Sequence, residues 1–456
     1  MKKINYLRIA VVFLIGFSAQ AQTKVWTLEE CVKYAIDNNI SIKQTELDSK
    51  TADIDKKGAV GNFIPSLNAN ASHSWNIGLN QDITTGLLRN QTTQFTSAGF
   101  NIGVDIYKGL QNQNALRKAN LSIVAAKYQI VKIQENIALN VANAFLQVLF
   151  NKENLKVQKE QLAINKKQYA RSEELVKAGA IPRGDLLDIK ATVASNNQNV
   201  ITAENSLLIS KLSLAQLLQL KEFENFDVID DNSIKDENSI LSKNPTAIYD
   251  KAKETRTELK IAQTNLEIAQ KSLAIAKGAF QPTLQGFYGF NSRVSYADVL
   301  AFDSTGKPVG TQAADPFFTQ FSVNKGQSFG AQLTIPIFNG FSVRNNVERS
   351  KVALEKSKIA VEQQELDLQR NVFTAFTDAK GALNAHESSI VALESRQEAY
   401  NYAKEKYAVG LMNSFNFNQS QTLLTNAQSE VLRTKYDYIF KIKIVEFYFG
   451  IPIIKK

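Results

Sequence analysis

Ile106-Tyr-Lys-Gly-Leu110 closes a run of alternating apolar residues, and Ile337-Phe-Asn-Gly-Phe341 does the same 231 positions later (337 − 106). Behind each copy the alternation stops and a long stretch with helical spacing begins. The register holds without a gap. Gly109 meets Gly340, Asn114 meets Asn345, Asn140-Val141 meets Asn371-Val372, Ala144-Phe145 meets Ala375-Phe376, Tyr169 meets Tyr400, Glu174 meets Glu405 and Gly179 meets Gly410. About seventy residues in one register, with glycine at both ends, mark an internal repeat, and a repeat of that length sets the architecture.

Working outward, the helix breakers lie where the repeat needs them. No Pro stands between Pro65 and Pro182 or between Pro336 and Pro452, and Gly is absent from 110–178 and from 185–277. Such tracts predict helices far longer than the globular mean of about 11–12 residues. The helix after Gly109 would run to about Ala178, roughly 105 Å at 1.5 Å per residue. Its apolar positions, among them Ile123, Ile130, Ile137, Val141, Phe145, Val148, Leu155, Leu162 and Tyr169, recur at steps of three, four and seven, as in helices packed side by side. Each long helix ends in a turn, Ala178-Gly-Ala-Ile-Pro182 and Gly410-Leu-Met-Asn413, and a return helix follows. Gly179 and Gly410 suit left-handed C-caps.

Between Pro65 and Gly109 the period falls to two. Leu67, Ala69, Ala71, His73, Trp75, Ile77 and Leu79 alternate with small polar residues, and Phe100, Ile102, Val104 and Ile106 do so on a return strand of about 94–106. The second copy repeats the hairpin at about 283–294 and 328–337, with a long loop between. Alternation with one polar face also fits a soluble antiparallel sheet. Strands of about 11–14 residues, with Trp75, Phe95, Phe287, Tyr288 and Tyr296 near strand ends or on the outward face, favour a membrane barrel instead. Four strands cannot close a barrel, because the smallest hold about eight, and an open edge does not occur in hydrocarbon. Closure therefore calls for several chains. Two copies give a filled eight-stranded barrel, and three give twelve strands around an aqueous lumen.

The N-terminus reads as a secretory leader. Lys2, Lys3 and Arg8 precede the apolar run 9–17, and Ala19-Gln20-Ala21 is a small-x-small site, with cleavage expected after Ala21. The apolar run is too short to span about 30 Å of hydrocarbon. Removing 1–21 takes three positive charges from the net +9, leaving +6 (9 − 3), which does not suggest the clustered basic face of a nucleic-acid binder. Cys31 is the one cysteine, so no intrachain disulfide is possible, and it is expected in a core. No phosphate loop, nucleophile pair or metal spacing points to an enzyme. Neither a cofactor nor a metal is expected.

The leader, the duplicated helix–Pro–hairpin–long helix–Gly turn–helix unit, and the Ile-Pro-Ile-Phe-Asn-Gly and Tyr-Ala-Val-Gly-Leu stretches together resemble the TolC family of outer-membrane channel proteins. The resemblance covers nearly the whole mature chain. It implies a mainly α fold with a membrane β-barrel: long antiparallel helical hairpins forming a periplasmic α-barrel, and four strands per chain in a trimeric 12-stranded β-barrel. The chain would divide into a leader (1–21), a first repeat (22–240; strands about 66–106, helix pair 109–220) and a second (241–456; strands about 283–337, helix pair 341–449). The resemblance also implies a homotrimer in outer-membrane lipid, docked to a periplasmic adaptor and an inner-membrane pump. It would serve as a passive exit duct for efflux or type I secretion. In this reading Ala178, Gly179, Ala180, Ile181, Pro182, Gly410, Leu411, Met412 and Asn413 form the docking tips. Arg183, Asp185, Tyr407, Asn416 and Gln419 narrow the entrance. Asn416 and Gln419 stand where the family often has acidic residues, so an acidic ring is not expected. The competing reading is a coiled-coil envelope spacer or adhesin without transport, which would have no use for two alternating hairpins.

Overall fold

The computed structural model describes residues 25–81, 86–220, 226–229 and 240–453. The expected leader with Ala21, and residues 221–225 and 230–239, lie outside the described residues. In chain order the elements are β1 (Val25–Trp26), α1 (Leu28–Asn38), α2 (Ile40–Gly61), β2 (Ser66–Gln81), β3 (Leu88–Lys108), α3 (Gln111–Lys177), α4 (Arg183–Leu218) and β4 (Asp227–Val228). There follow α5 (Pro245–Thr255), α6 (Thr257–Gly278), β5 (Thr283–Ser295), β6 (Val299–Phe302), β7 (Pro308–Gln312), α7 (Phe317–Val323), β8 (Gly326–Thr334), α8 (Ser342–Ala408) and α9 (Ser414–Phe449).

Elements of the two halves match in length. Helices α1 and α5 have 11 residues each, α2 and α6 have 22, α3 and α8 have 67, and α4 and α9 have 36. The first two pairs are offset by 217 (245 − 28; 257 − 40) and the last two by 231 (342 − 111; 414 − 183). The extra 14 residues (231 − 217) fall between β5 and β8. At the quoted stretch the chain takes two left-handed residues in a row in both copies: Gly109 (φ 56°) and Leu110 (φ 57°), then Gly340 (φ 60°) and Phe341 (φ 63°). Left-handed backbone costs a bulky residue about 1–2 kcal/mol. The long helix starts at once behind it, and the Leu110 carbonyl accepts both the backbone N–H and the side-chain amide of Asn114. At the far ends Gly179 (φ 72°) and Gly410 (φ 77°) are left-handed caps. There Ala180 N–H donates to the Leu175 carbonyl at 2.8 Å, and Leu411 N–H to that of Lys406 at 2.8 Å.

The described residues fall into two compact units. One comprises residues of 25–47, 127–261 and 362–453; the other comprises 48–126 and 262–361. In the first unit, Trp26, Cys31, Val32, Phe145, Val148, Leu214, Leu218 and Val228 form one buried core. Cys31 packs there as an ordinary small hydrophobe, as expected. The helix bringing it in opens on a capping box, with Glu30 N–H donating to Thr27 Oγ1 at 3.3 Å and Thr27 N–H to Glu30 Oε2 at 3.1 Å. Strand β4 pairs parallel with β1. Its Asp227 takes Lys152 of α3 at 2.8 Å and Lys211 of α4 at 2.9 Å. Burial pushes the Asp227 carboxyl up, but the two lysines outweigh it and hold it below the usual value. Arg256, between α5 and α6, is only 4% exposed at its side chain and bonds Glu135 at 2.9 Å and Glu258 at 3.0 Å. Its guanidinium lies 3.8 Å above the Phe447 ring. A buried cation persists only with such partners.

The second unit holds an antiparallel sheet of order β2-β3-β5-β8. Where α6 ends it meets the start of α3: a Cβ on Gly278 would clash with the Gly109 carbonyl, and one on Gly109 with that of Gly278. Beside them the Tyr107 hydroxyl donates to the Gln281 side chain.

Three expectations need correction here. The first return strand does not begin at about 94 but at Leu88, and it pairs with every residue of β2. Asn90, Thr92 and Gln94 carry the strand past the end of its apolar pattern, so hydropathy could not mark its start. Strand β8 stops at Thr334 rather than Ile337, since Pro336 has no N–H for a ladder. The long second loop is not featureless. It forms a β6–β7 hairpin and the short helix α7. Asn324 Nδ2 donates to the Arg293 carbonyl at 2.8 Å, Gln320 Nε2 to that of Ser295 at 2.9 Å, and Ser295 N–H to Gln320 Oε1 at 3.0 Å. These amides complete β5 where β8 no longer reaches.

Candidate functional site

Two places gather the residues singled out above: the faces of the sheet and the two Gly turns. The register puts Leu67, Ile102, Tyr288 and Phe329 in one row and Ala69, Phe100, Phe290 and Gln327 in the next. Phe100 stacks on Phe290 at 5.4 Å. Asn68, Asn101, Gly289 and Ser328 form a row of the opposite parity, as do Asn70, Gly99, Asn291 and Gly326. The sheet thus has one apolar and one polar face, as the alternation predicts. Leu67, Ile77, Phe329 and Leu333 on the apolar face are exposed. On the polar face Asp105 binds Lys108 at 2.8 Å and Gln285 at 2.7 Å.

Phe95 and Phe287 depart from the outward placement expected of them. Phe287 pairs with Gly103 and Gly330, and its ring lies over Gly330. The missing side chain of Gly330 leaves room for it on the polar face. Phe95 lies opposite Ser74, with the Arg293 guanidinium 3.7 Å above its ring. His73 lies edge-on to Trp75 at 4.2 Å, with Nδ1 2.8 Å from Thr96 Oγ1.

At the turns, Ala178, Gly179, Ala180, Pro182, Gly410, Leu411 and Asn413 are exposed, while Ile181 and Met412 are half-buried. Asn413 also caps α9, its side chain accepting from Asn416 N–H at 2.9 Å. Among the described residues, Asp185 and Tyr407 of the five entrance candidates make side-chain contacts. Asp185 Oδ1 accepts from Ser414 Oγ at 3.1 Å, joining the first turn to the second. Tyr407 stacks on Phe417 at 4.7 Å, and Tyr400 lies 5.7 Å from the same ring. Burial pushes the Tyr400 hydroxyl up. Arg183, Asn416 and Gln419 remain exposed. Ser414 and Phe417 lie within the second tip, 407–417, but the sequence singled out neither as an entrance contact, and Tyr400 was missed altogether. The signal for Tyr400 and Phe417 was faint: aromatic residues within three turns of a glycine cap. Val409 and Phe415 add exposed apolar surface beside Leu411. Two turns into α9, Gln421 is 2% exposed, and its side-chain amide has no hydrogen-bond partner among the described residues.

With this geometry the chain can be compared with known proteins. A family model described as outer membrane efflux protein matches residues 32–219 and 248–440. Outer membrane protein TolC of Vibrio cholerae is 21% identical over 351 residues, 76% of this chain and 74% of that one. Among solved structures, a membrane protein from Pseudomonas aeruginosa superposes with a TM-score of 0.76 at 18% identity, over 92% of this chain and 90% of the other. The Campylobacter jejuni CmeC outer membrane channel does so with 0.73 at 18% identity, over 93% and 85%.

Proposed function

Because the chain belongs to the outer membrane efflux protein family, a family of channels and not of enzymes, we propose that it works as the exit duct of a tripartite export assembly. It resides in the outer membrane of a Gram-negative cell and extends into the periplasm. Three copies close a twelve-stranded barrel, and the α3–α4 and α8–α9 hairpins of the three copies line a periplasmic tunnel. The outer loops near Gly86 and Gly306 face outward, and the Gly179 and Gly410 turns lie in the periplasm, where a membrane-fusion adaptor joins them to an inner-membrane pump.

The observation that carries this reading is the four-stranded sheet. Its apolar face is uncovered, its other face is polar, and both β2 and β8 are edges. Such edges do not exist in hydrocarbon, so further copies must pair with them, and three leave a wet lumen lined by the polar rows. Exposed Val409, Leu411 and Phe415 at a tip otherwise in water support the docking role, since such spots mark partner sites. The Asp185–Ser414 bond and the Tyr407–Phe417 stack support a narrowed entrance held by contacts between and within the turns.

The test has two arms. Purified protein in a planar bilayer should conduct, and a spacer or adhesin would not. Gly410→Trp strains the left-handed cap by about 1 kcal/mol, too little to unfold helices of this length. It should keep trimer and membrane level and abolish export. Unchanged export would remove the tip from the docking surface.

A further inference from the structure

Arg293 is a cation without a counter-charge. It has the parity of the polar face, opposite Ser97 and in the row of Ser72. Among the described residues its guanidinium pairs with no carboxylate and donates to no acceptor; it lies 3.7 Å above the ring of Phe95. Asn68, Asn101 and Ser328 on the same face carry no charge, and toward α3 Asp105 and Lys108 cancel each other at 2.8 Å. Arg89, opposite Asn80 beside the first hairpin loop, is a second basic residue of that parity. Phe95 is the complementary oddity, a ring among Ser, Asn and Gly. Two residues that break the pattern of their rows are thus placed against each other.

With Ser74, Ser97, Asn291 and Asn324 the pair lines a concavity of about 420 Å³, within the range of about 300–1,000 Å³ that holds small ligands. The backbone beneath it is fixed. Asn324 Nδ2 donates to the Arg293 carbonyl at 2.8 Å, and the Ser72 and Ser97 hydroxyls lie 2.8 Å apart. Stacking occupies one face of the guanidinium and leaves its N–H edge free. That planar edge fits a carboxylate, sulfonate or phosphate through two parallel hydrogen bonds. The Phe95 ring holds the fork in place, so less rotamer freedom is lost on binding. The Ser74 hydroxyl and the Asn291 amide offer further donors from the same face.

We propose that Arg293 and Phe95 form a station for organic anions on the polar face. The acidic group of the solute meets the guanidinium edge, and its apolar body lies against the Phe95 ring. This deepens the channel reading and rests on it for placing that face on the lumen. Along an exit path such a site has to bind weakly, because conduction needs solutes that both enter and leave. It gives the wall a preference for negatively charged cargo.

The probes are naphthalenesulfonate, the neutral naphthalenemethanol and inorganic sulfate, titrated into assembled protein held in amphipol. The sulfonate should bind saturably and more tightly than the other two. Arg293→Gln should weaken it roughly tenfold or more, as loss of a charge-assisted hydrogen bond does. Arg293→Lys keeps the charge and loses the fork, and should weaken it roughly threefold. Arg89→Gln removes the same charge from the same face and should leave it within about twofold, since exposed charges at a distance are screened. Equal binding to wild type and Arg293→Gln would overturn the site, and full rescue by Lys would overturn its fork-on-ring geometry. Sulfate binding as tightly as the sulfonate would overturn the assignment to organic anions. In planar bilayers the chloride-to-potassium permeability ratio should fall in Arg293→Gln, and the sulfonate should interrupt the wild-type current but not that of the variant. A protein that binds the sulfonate and does not conduct would sink the channel reading and leave the station standing. A conducting protein whose block and permeability ratio ignore Arg293→Gln would overturn the station alone.

Discussion

The bond from Ser414 to Asp185 joins the two turns, and its removal tests whether the entrance is held by it. Ser414 is buried and Asp185 half-buried, with the hydroxyl 3.1 Å from Oδ1. A hydrogen bond to a charged group contributes about 1.5–3 kcal/mol. The partial exposure of the carboxylate and the length of the bond bring that to about 1–2 kcal/mol, a factor of about 5–30 in a two-state equilibrium. If this bond closes the entrance, Ser414→Ala should raise the open probability in single-channel recordings by about 5- to 30-fold. Asp185→Ala should do the same, and the double variant should do no more than either single one, because residues sharing one bond are not additive. The assay needs only protein that still runs as trimer. Effects of the two variants that multiply, or an open probability unmoved by both, would refute the argument that this bond holds the turns together.

Three further outcomes follow from named residues. Leu333→Arg, on the uncovered apolar face, should cost roughly 2–4 kcal/mol near the bilayer midplane, whereas Gln332→Arg on the polar face should alter conductance and ion selectivity; equal loss of assembled barrel from both would mean the faces are wrongly assigned. The Asp227 carboxyl is held below its usual value of 3.8 by Lys152 and Lys211, so its contribution is present above that pH and is lost as pH falls through the lower folded value. Melting temperatures of wild type and Asp227→Asn should therefore differ near neutrality and converge in acid, and a gap that widens in acid would contradict this sign. Gln421→Leu removes a buried amide that has no partner among the described residues, a group that costs about 1–3 kcal/mol, so it should raise the melting temperature; a large drop in melting temperature would show that the amide is satisfied in the assembled protein.

The helices were legible because the features that bound them are local. Gly179, Gly410, Pro65 and Pro282 stop helices by their own backbone chemistry, and the steps between Ile123, Val141 and Leu162 need no knowledge of what packs on them. The faces of the sheet were legible for the same reason, since alternation is a property of neighbours. Phe95 and Phe287 defied it because their placement depends on distant partners: Gly330, without a side chain, admits the Phe287 ring across the ladder, and Arg293 covers the ring of Phe95. Ser414 and Asp185 are 229 positions apart, and no local pattern announces such a pair. The β6–β7 hairpin and α7 were hidden because their anchor points are amide side chains bonded to a distant strand, and amide side chains have no periodicity.

Those amides have a consequence for how the surface of the protein can change. Gln320 and Asn324 finish the β5 edge up to Ser295, so the sheet is complete before the β6–β7 hairpin begins. The β6–β7 hairpin begins at Val299, beyond the last rung of the β3–β5 ladder at Ser295. Lengthening it costs only chain closure, about 0.6 kcal/mol for each doubling of loop length. The hairpin can thus be lengthened or rewritten while the β5 strand keeps its register. If it faces outward as proposed, a peptide tag grafted at Gly306 should be reached by antibody on intact cells, in a protein that still assembles.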